Sequence, residues 1–120
     1  MLKYKYQAEF FEDDGGGSPV GEFLKSIGKK ARIKITTFIS LLEEKGIEMP
    51  YTYCKKLSHS DLWELKVSHS KNTYRIFFFY HGRTIVLLHG IMKKTDDTPQ
   101  ADLDISEKRM KTWLKKEIKK

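Results

Sequence analysis

LWELKVSHSKNTYRIFFFYHGRTIVLLHG, residues 62–90, decides the fold. Three runs rich in branched and aromatic residues are separated by two polar turns, HSKN (69–72) and HGR (81–83). Runs of this kind specify a three-stranded antiparallel meander. Side chains alternate along a strand, so each run divides between two faces. On the first, Trp63, Leu65 and Val67 oppose Leu62, Glu64 and Lys66. On the second, Tyr74, Ile76, Phe78 and Tyr80 oppose Arg75, Phe77 and Phe79. On the third, Thr84, Val86 and Leu88 oppose Ile85, Leu87 and His89. The last two strands are apolar on both sides, so both sheet faces must be covered. A pair of helices can cover one face. A C-terminal helix, or a partner protein, must cover part of the other.

Upstream of the meander, LKYKYQAEFF (2–11) reads as an edge strand guarded by Lys3 and Lys5. EDDGGG (12–17) is a turn. Ser18-Pro19 combines a side-chain cap with proline at the first helical position. The helix it starts covers residues 19–27 and buries Val20, Phe23, Leu24 and Ile27, with Gly28 ending it. A second helix, over residues 30–45, carries the stripe Ala31, Ile35, Phe38, Ile39 and Leu42 and closes at Gly46. Residues 47–61 read as irregular. Downstream, IMKKTDD (91–97) leads to Thr98-Pro99, a second cap-plus-proline start. The last helix begins near Gln100, with Leu103, Met110, Trp113, Leu114 and Ile118 as its apolar stripe. The order β-α-α-β-β-β-α is that of an α+β fold, an antiparallel sheet flanked by helices.

At 120 residues this is one domain with a real core. There is no apolar run long enough to span a bilayer, and the N-terminus lacks the apolar segment of a secretory signal. The expected location is the cytoplasm, with no membrane partner. The single Cys54 agrees with a reducing compartment and excludes an internal disulfide or a cysteine-based zinc site. The net charge of +7 is large for this size. It favours a polyanionic partner, nucleic acid or an acidic protein, unless it is a solubilising lysine surface.

Lys66, Arg75, Glu64 and His89 interrupt otherwise apolar strands. A buried unpaired cation is costly, so these side chains either pair or open onto a solvated cleft. One reading is a cross-strand ion pair of Glu64 with Arg75. The other is a basic pocket at the strand ends, fed by Lys55, Lys56, Lys93 and Lys94, suited to a phosphate whose oxygens gain charge in a transition state. Lys29, Lys30, Arg32 and Lys34 crowd a helix start, against the helix dipole. They form either a solvated face or a contact for RNA or a partner protein. His59, His69 and His81 lie in turns without metal-ligand spacing, and there is no glycine-rich phosphate loop or nucleophile elbow. No cofactor is expected.

LWELKV (62–67), TYRIFFFY (73–80), IVLLHGIMKKTDDTP (85–99), the closing helix and SPVGEFLKSI (18–27) together resemble the RelE/HigB toxin superfamily, in its phage-derived Gp49-like branch of HigB toxins. The resemblance covers nearly the whole chain. It implies a type II toxin–antitoxin toxin, an mRNA interferase that binds the ribosome and cuts mRNA in the A site. It also implies a helix-turn-helix, HigA-like antitoxin, with operator DNA bound only through the antitoxin complex. Arg75 matches the family arginine set against the scissile phosphate. Lys66 looks like a residue for proton transfer or charge stabilisation, and Lys93 and Lys94 match the basic pair after the last strand. His89 and Glu64 are further acid–base candidates. Lys55, Lys56, Lys29, Lys30, Arg32 and Lys34 would bind RNA. The tyrosine that some RelE toxins carry near the start of the last helix has no counterpart in KKTDDTPQADLD (93–104). Two alternatives share the fold: a ParE-like gyrase poison, and a non-catalytic module that only binds an antitoxin or nucleic acid.

Overall fold

Residues 62–90 do form the centre of a sheet. The computed structural model describes residues 4–93 and 99–119. In it β1 (Gln7–Phe10), β2 (Cys54–Lys56), β3 (Trp63–His69), β4 (Asn72–His81) and β5 (Thr84–Lys93) join in the order β1-β5-β4-β3-β2. The meander β3-β4-β5 is antiparallel, as its turns require, and β2 adds antiparallel to β3. β1 pairs with β5 in parallel, so the sheet is mixed rather than wholly antiparallel.

Helices α1 (Pro19–Ser26) and α2 (Lys29–Lys45) pack on one face, and α3 (Gln100–Ile118) on the other. The Ser18 side chain accepts from the Gly21 amide and caps α1. Val20 and Leu24 from α1, with Ala31, Ile35, Ile39 and Leu42 from α2, meet Leu65, Val67, Tyr74, Ile76, Phe78, Ile85 and Leu87 in the larger core. The smaller core holds Phe11, Leu62, Phe79, Val86, Leu88 and Met110, with Leu103, Trp113 and Leu114 against it. At Gly90 a Cβ would come 2.5 Å from the Phe23 ring, so the lack of a side chain lets α1 lie directly on β5.

Several expectations change. The first strand is confined to Gln7–Phe10. Ahead of it, the Tyr6 amide bonds Glu43 O on α2, and the Arg83 guanidinium bonds the carbonyls of Tyr4 and Lys5, so this backbone is spent outside the ladder. Leu2 and Lys3 lie outside the described residues. The Tyr6 ring occupies the space where a Cβ on Gly46 would stand, 2.0 Å away, and Gly46 has φ +56°. Residues 47–61 are not wholly irregular: they hold part of a 3-10 turn (Gly46–Glu48) and β2. Gly28 has φ −62° and serves as the N-cap of α2 rather than closing α1. Pro99 takes the N-cap position of α3, one place earlier than expected, and Thr98 lies outside the described residues. Ile118, the last residue of α3, is 83% exposed and leaves the apolar stripe. Among the described residues, no helix is long and apolar enough to cross a membrane.

Candidate active site

Strand alternation misplaces one residue, and that residue belongs to the site. Phe77 pairs with His89, but Phe78 pairs with Leu87, so Leu88 is an extra residue in β5. A bulge of this kind re-aims the side chains that follow it. Val86 and Leu88 face the α3 core, and His89 turns to that side too. Strict alternation would put His89 on the face of Leu87.

His89 stacks on Phe77, with ring centroids 6.1 Å apart, and two α3 side chains hold it. Its Nε2 lies 2.8 Å from Asp102 Oδ1, and its Nδ1 lies 3.1 Å from Arg109 Nη1. Arg109 Nη1 also donates to the Leu88 carbonyl at 2.9 Å. Arginine can only donate, so Nδ1 accepts and Nε2 donates to Asp102. Burial pulls the Arg109 guanidinium below its ordinary value, with Asp13 opposing the shift. Both ring nitrogens are engaged, so His89 ties α3 to the bulge.

Residues directly opposed in a sheet share a face. Lys55 opposes Glu64, Glu64 opposes Phe77, Lys66 opposes Arg75, Arg75 opposes Ile91, and Thr73 opposes Lys93. The ladder thus gathers Lys55, Glu64, Lys66, Arg75, His89 and Lys93 on the α3 side of the sheet. These are five of the six proposed catalytic residues, joined by Lys55. Lys94 lies outside the described residues.

Arg75 and Glu64 are 2% and 1% exposed, and Arg75 Nη1 donates to Glu64 Oε1 at 2.8 Å. The cross-strand ion pair is therefore present, though it runs diagonally. Directly opposite Arg75 stands Lys66, a like charge that the Glu64 carboxylate offsets. Removing one member of such a pair strands a buried charge and costs about 3–5 kcal/mol. The partly exposed Lys55, Lys66 and Lys93 leave a cationic surplus on this face.

The other predicted cations lie elsewhere. Lys29, Lys30, Arg32 and Lys34 are on α2, across the sheet from Arg75. Arg32 Nη1 donates to the Leu24 carbonyl at 3.4 Å, and Lys34 Nζ donates to the Ser68 carbonyl. Lys56 opposes Trp63 and lines a separate hollow with Tyr80 and Met110. Asp102 and Arg109 were missed by the sequence reading. Their seven-residue spacing on one side of α3 was visible, but nothing tied them to His89 without the bulge. Among the described residues, no cluster of His, Cys, Asp and Glu is placed to hold a metal ion.

No curated protein matches the chain. The model of the phage-derived Gp49-like protein family (DUF891) matches residues 22–111, a span that contains every residue of the face just described. The chain belongs to this Gp49-like family, a RelE/HigB-like toxin group.

Proposed function

We propose that this chain is the toxin of a type II toxin–antitoxin pair and cuts mRNA in the ribosomal A site. The observation that supports it is the gathering of Lys55, Lys66, Arg75 and Lys93 on one sheet face beside α3. In the reaction, the 2′-oxygen of one nucleotide bonds to the adjacent phosphorus and the bond from phosphorus to the 5′-oxygen breaks. One proton leaves the 2′-hydroxyl and one reaches the departing 5′-oxygen. The products are a 2′,3′-cyclic phosphate and a 5′-hydroxyl. Negative charge grows on the phosphoryl oxygens, where preorganised cations are worth most.

In this reading Lys66 and Lys93, both partly exposed, meet those oxygens and move protons, with Lys94 as the next residue in the chain. Arg75 contributes from below as a fixed positive charge held by Glu64. His89 positions α3. The ribosome supplies orientation, which alone can replace much of the demand on side chains. The partner expected to neutralise the toxin is a helix-turn-helix, HigA-like antitoxin.

The test is induced expression with mapping of mRNA 5′ ends on ribosomes. The parent chain produces new ends within codons. Lys66→Ala and Lys93→Ala reduce cutting by about 10²-fold or more, the scale of a lost proton-transfer group. Undiminished cutting in both variants defeats this assignment of roles, and intact mRNA in cells arrested by the parent chain defeats the reaction. The burial of the Glu64 and Arg75 pair favours one second reading, a non-catalytic antitoxin-binding module in which the pair is purely structural. That reading predicts neither cutting nor arrest.

A further inference from the structure

Beside β2 the cationic face holds a hollow that shares Lys66 with the proposed bond-breaking but adds tyrosines the bond-breaking does not use. It has a volume of about 170 Å³ and is lined in part by Tyr51, Tyr53, Lys55, Glu64 and Lys66. Small-molecule sites usually enclose about 300 Å³ or more, so this one suits a single ring system rather than a larger ligand. Tyr51 is 77% exposed, and no polar or ring partner holds its side chain among the described residues.

The turn that carries Tyr51 is nonetheless fixed. The amides of Tyr53 and Cys54 both donate to the Pro50 carbonyl, at 2.9 and 3.0 Å. The Lys66 amide donates to the Tyr53 carbonyl at 2.7 Å. The Tyr53 ring packs edge-on against Phe38, with centroids 5.2 Å apart, which ties the turn back to α2. A free aromatic side chain is thus mounted on a rigid turn bonded to the backbone of Lys66, with the Lys55 and Lys66 side chains at the same hollow. An unpaired nucleotide presents the matching pair of features, a π-face and a phosphate. A duplex does not, because its bases are already stacked.

We infer that this hollow is a subsite for one nucleotide of single-stranded RNA, with the base stacked on Tyr51 and its phosphate held by Lys55 and Lys66. The inference rests on the reading of this face as RNA-cleaving and deepens it: the bound nucleotide lies on the β2 side of the scissile phosphate. Its ring comes from the turn before β2 and not from the start of α3, where the sequence has no tyrosine.

The probe is a dye-labelled hexaribonucleotide with 2′-O-methyl groups, which block the attacking oxygen. Its binding to the full chain is followed by fluorescence anisotropy at low salt. The parent chain binds it and discriminates against its duplex. Tyr51→Ala weakens binding by about 5- to 150-fold, the range for one lost base stack. Tyr51→Phe, which keeps the ring, binds like the parent. Lys55→Ala lowers the slope of log affinity against log salt by roughly 0.7, one single-strand phosphate contact. The exposed position of Tyr51 keeps these variants folded, and thermal melts confirm it. The inference is overturned if the parent chain does not bind the single strand, or if Tyr51→Ala binds as tightly as the parent. A protein as the true occupant gives the same two negative results. The cleavage reading fails separately: Tyr51-dependent binding with intact cellular mRNA refutes cutting and leaves the subsite standing. Mapped cutting with no effect of Tyr51→Ala on binding does the reverse.

Discussion

The two faces of the sheet are built for different ends. The face under α1 and α2 is a continuous apolar layer from Val67 to Leu87. The face under α3 has its apolar cluster at one end, around Leu62, Phe79, Val86 and Met110. Its other end carries Glu64, Lys66, Arg75, His89 and Lys93, with Asp102 and Arg109 reaching in from α3. Non-directional burial supplies most folding energy, while buried polar groups contribute little net stability and are costly when half-paired. The first face can therefore hold the fold while the second is spent on charge placement. The lesson is that stability and proposed chemistry are separable here by side of the sheet.

The sharpest way to break that division is Phe78→Ala on the apolar face. The ring is fully buried, and its loss is expected to cost about 4 kcal/mol, read from urea unfolding. Next is Glu64→Ala, which strands Arg75 and costs about 3 kcal/mol. The double variant Glu64→Leu with Arg75→Met restores most of that stability but lowers mRNA cutting. If the double variant cuts like the parent, the polar pair belongs to the fold and not to the chemistry.

A third test uses pH. Burial, with Glu64 adding to it, pushes the Cys54 thiol up to about 12 from an ordinary 9.0. Burial also raises the Tyr80 phenol, with Cys54 and Tyr6 adding to it. A group whose folded value is raised lends its stability below the unfolded value and loses it on the way up to the folded one. The share of stability owed to Cys54 is thus constant below pH 9 and is lost between pH 9 and 12. Urea midpoints from pH 7 to 11 check this, and Cys54→Ala makes the fall shallower. Smaller still is Asp102→Ala, at about 1 kcal/mol for one hydrogen bond. It frees His89 Nε2, and Asp102→Asn, which can still accept, recovers the loss in thermal melts. Smallest is Lys5→Ala. It breaks an exposed pair with Glu48 at 3.1 Å and shifts stability by less than about 0.5 kcal/mol.

The meander, the helical pair and the two-sided cover were readable because period-2 and period-3.6 patterns are local. The capped start of α1 was readable for the same reason, since Ser18 and Pro19 act on their own neighbours. β2 escaped because CKK has no apolar alternation and gains its strand character only from the ladder with β3. The parallel pairing of β1 escaped because no local signal sets which edge a lone strand joins. In the site, Arg75 and Lys66 stood out as cations in apolar runs, and both readings of Arg75 rested on that. The side of His89 did not follow, because one inserted residue in β5 reverses the parity that strand reasoning depends on. The α2 cations stood out as a cluster at a helix start, and they lie across the sheet from Arg75.

The parallel seam between β1 and β5 has a consequence for how the chain is made. Gln7 pairs with Thr84 and Phe10 with Leu87, so the first described strand to leave the ribosome waits for the last. Such distant pairing is slow to close. A chain still being translated has no β5, and therefore no bulge, no seat for α3 and no completed cationic face. The face that carries the cations is therefore completed only after β5 has been made.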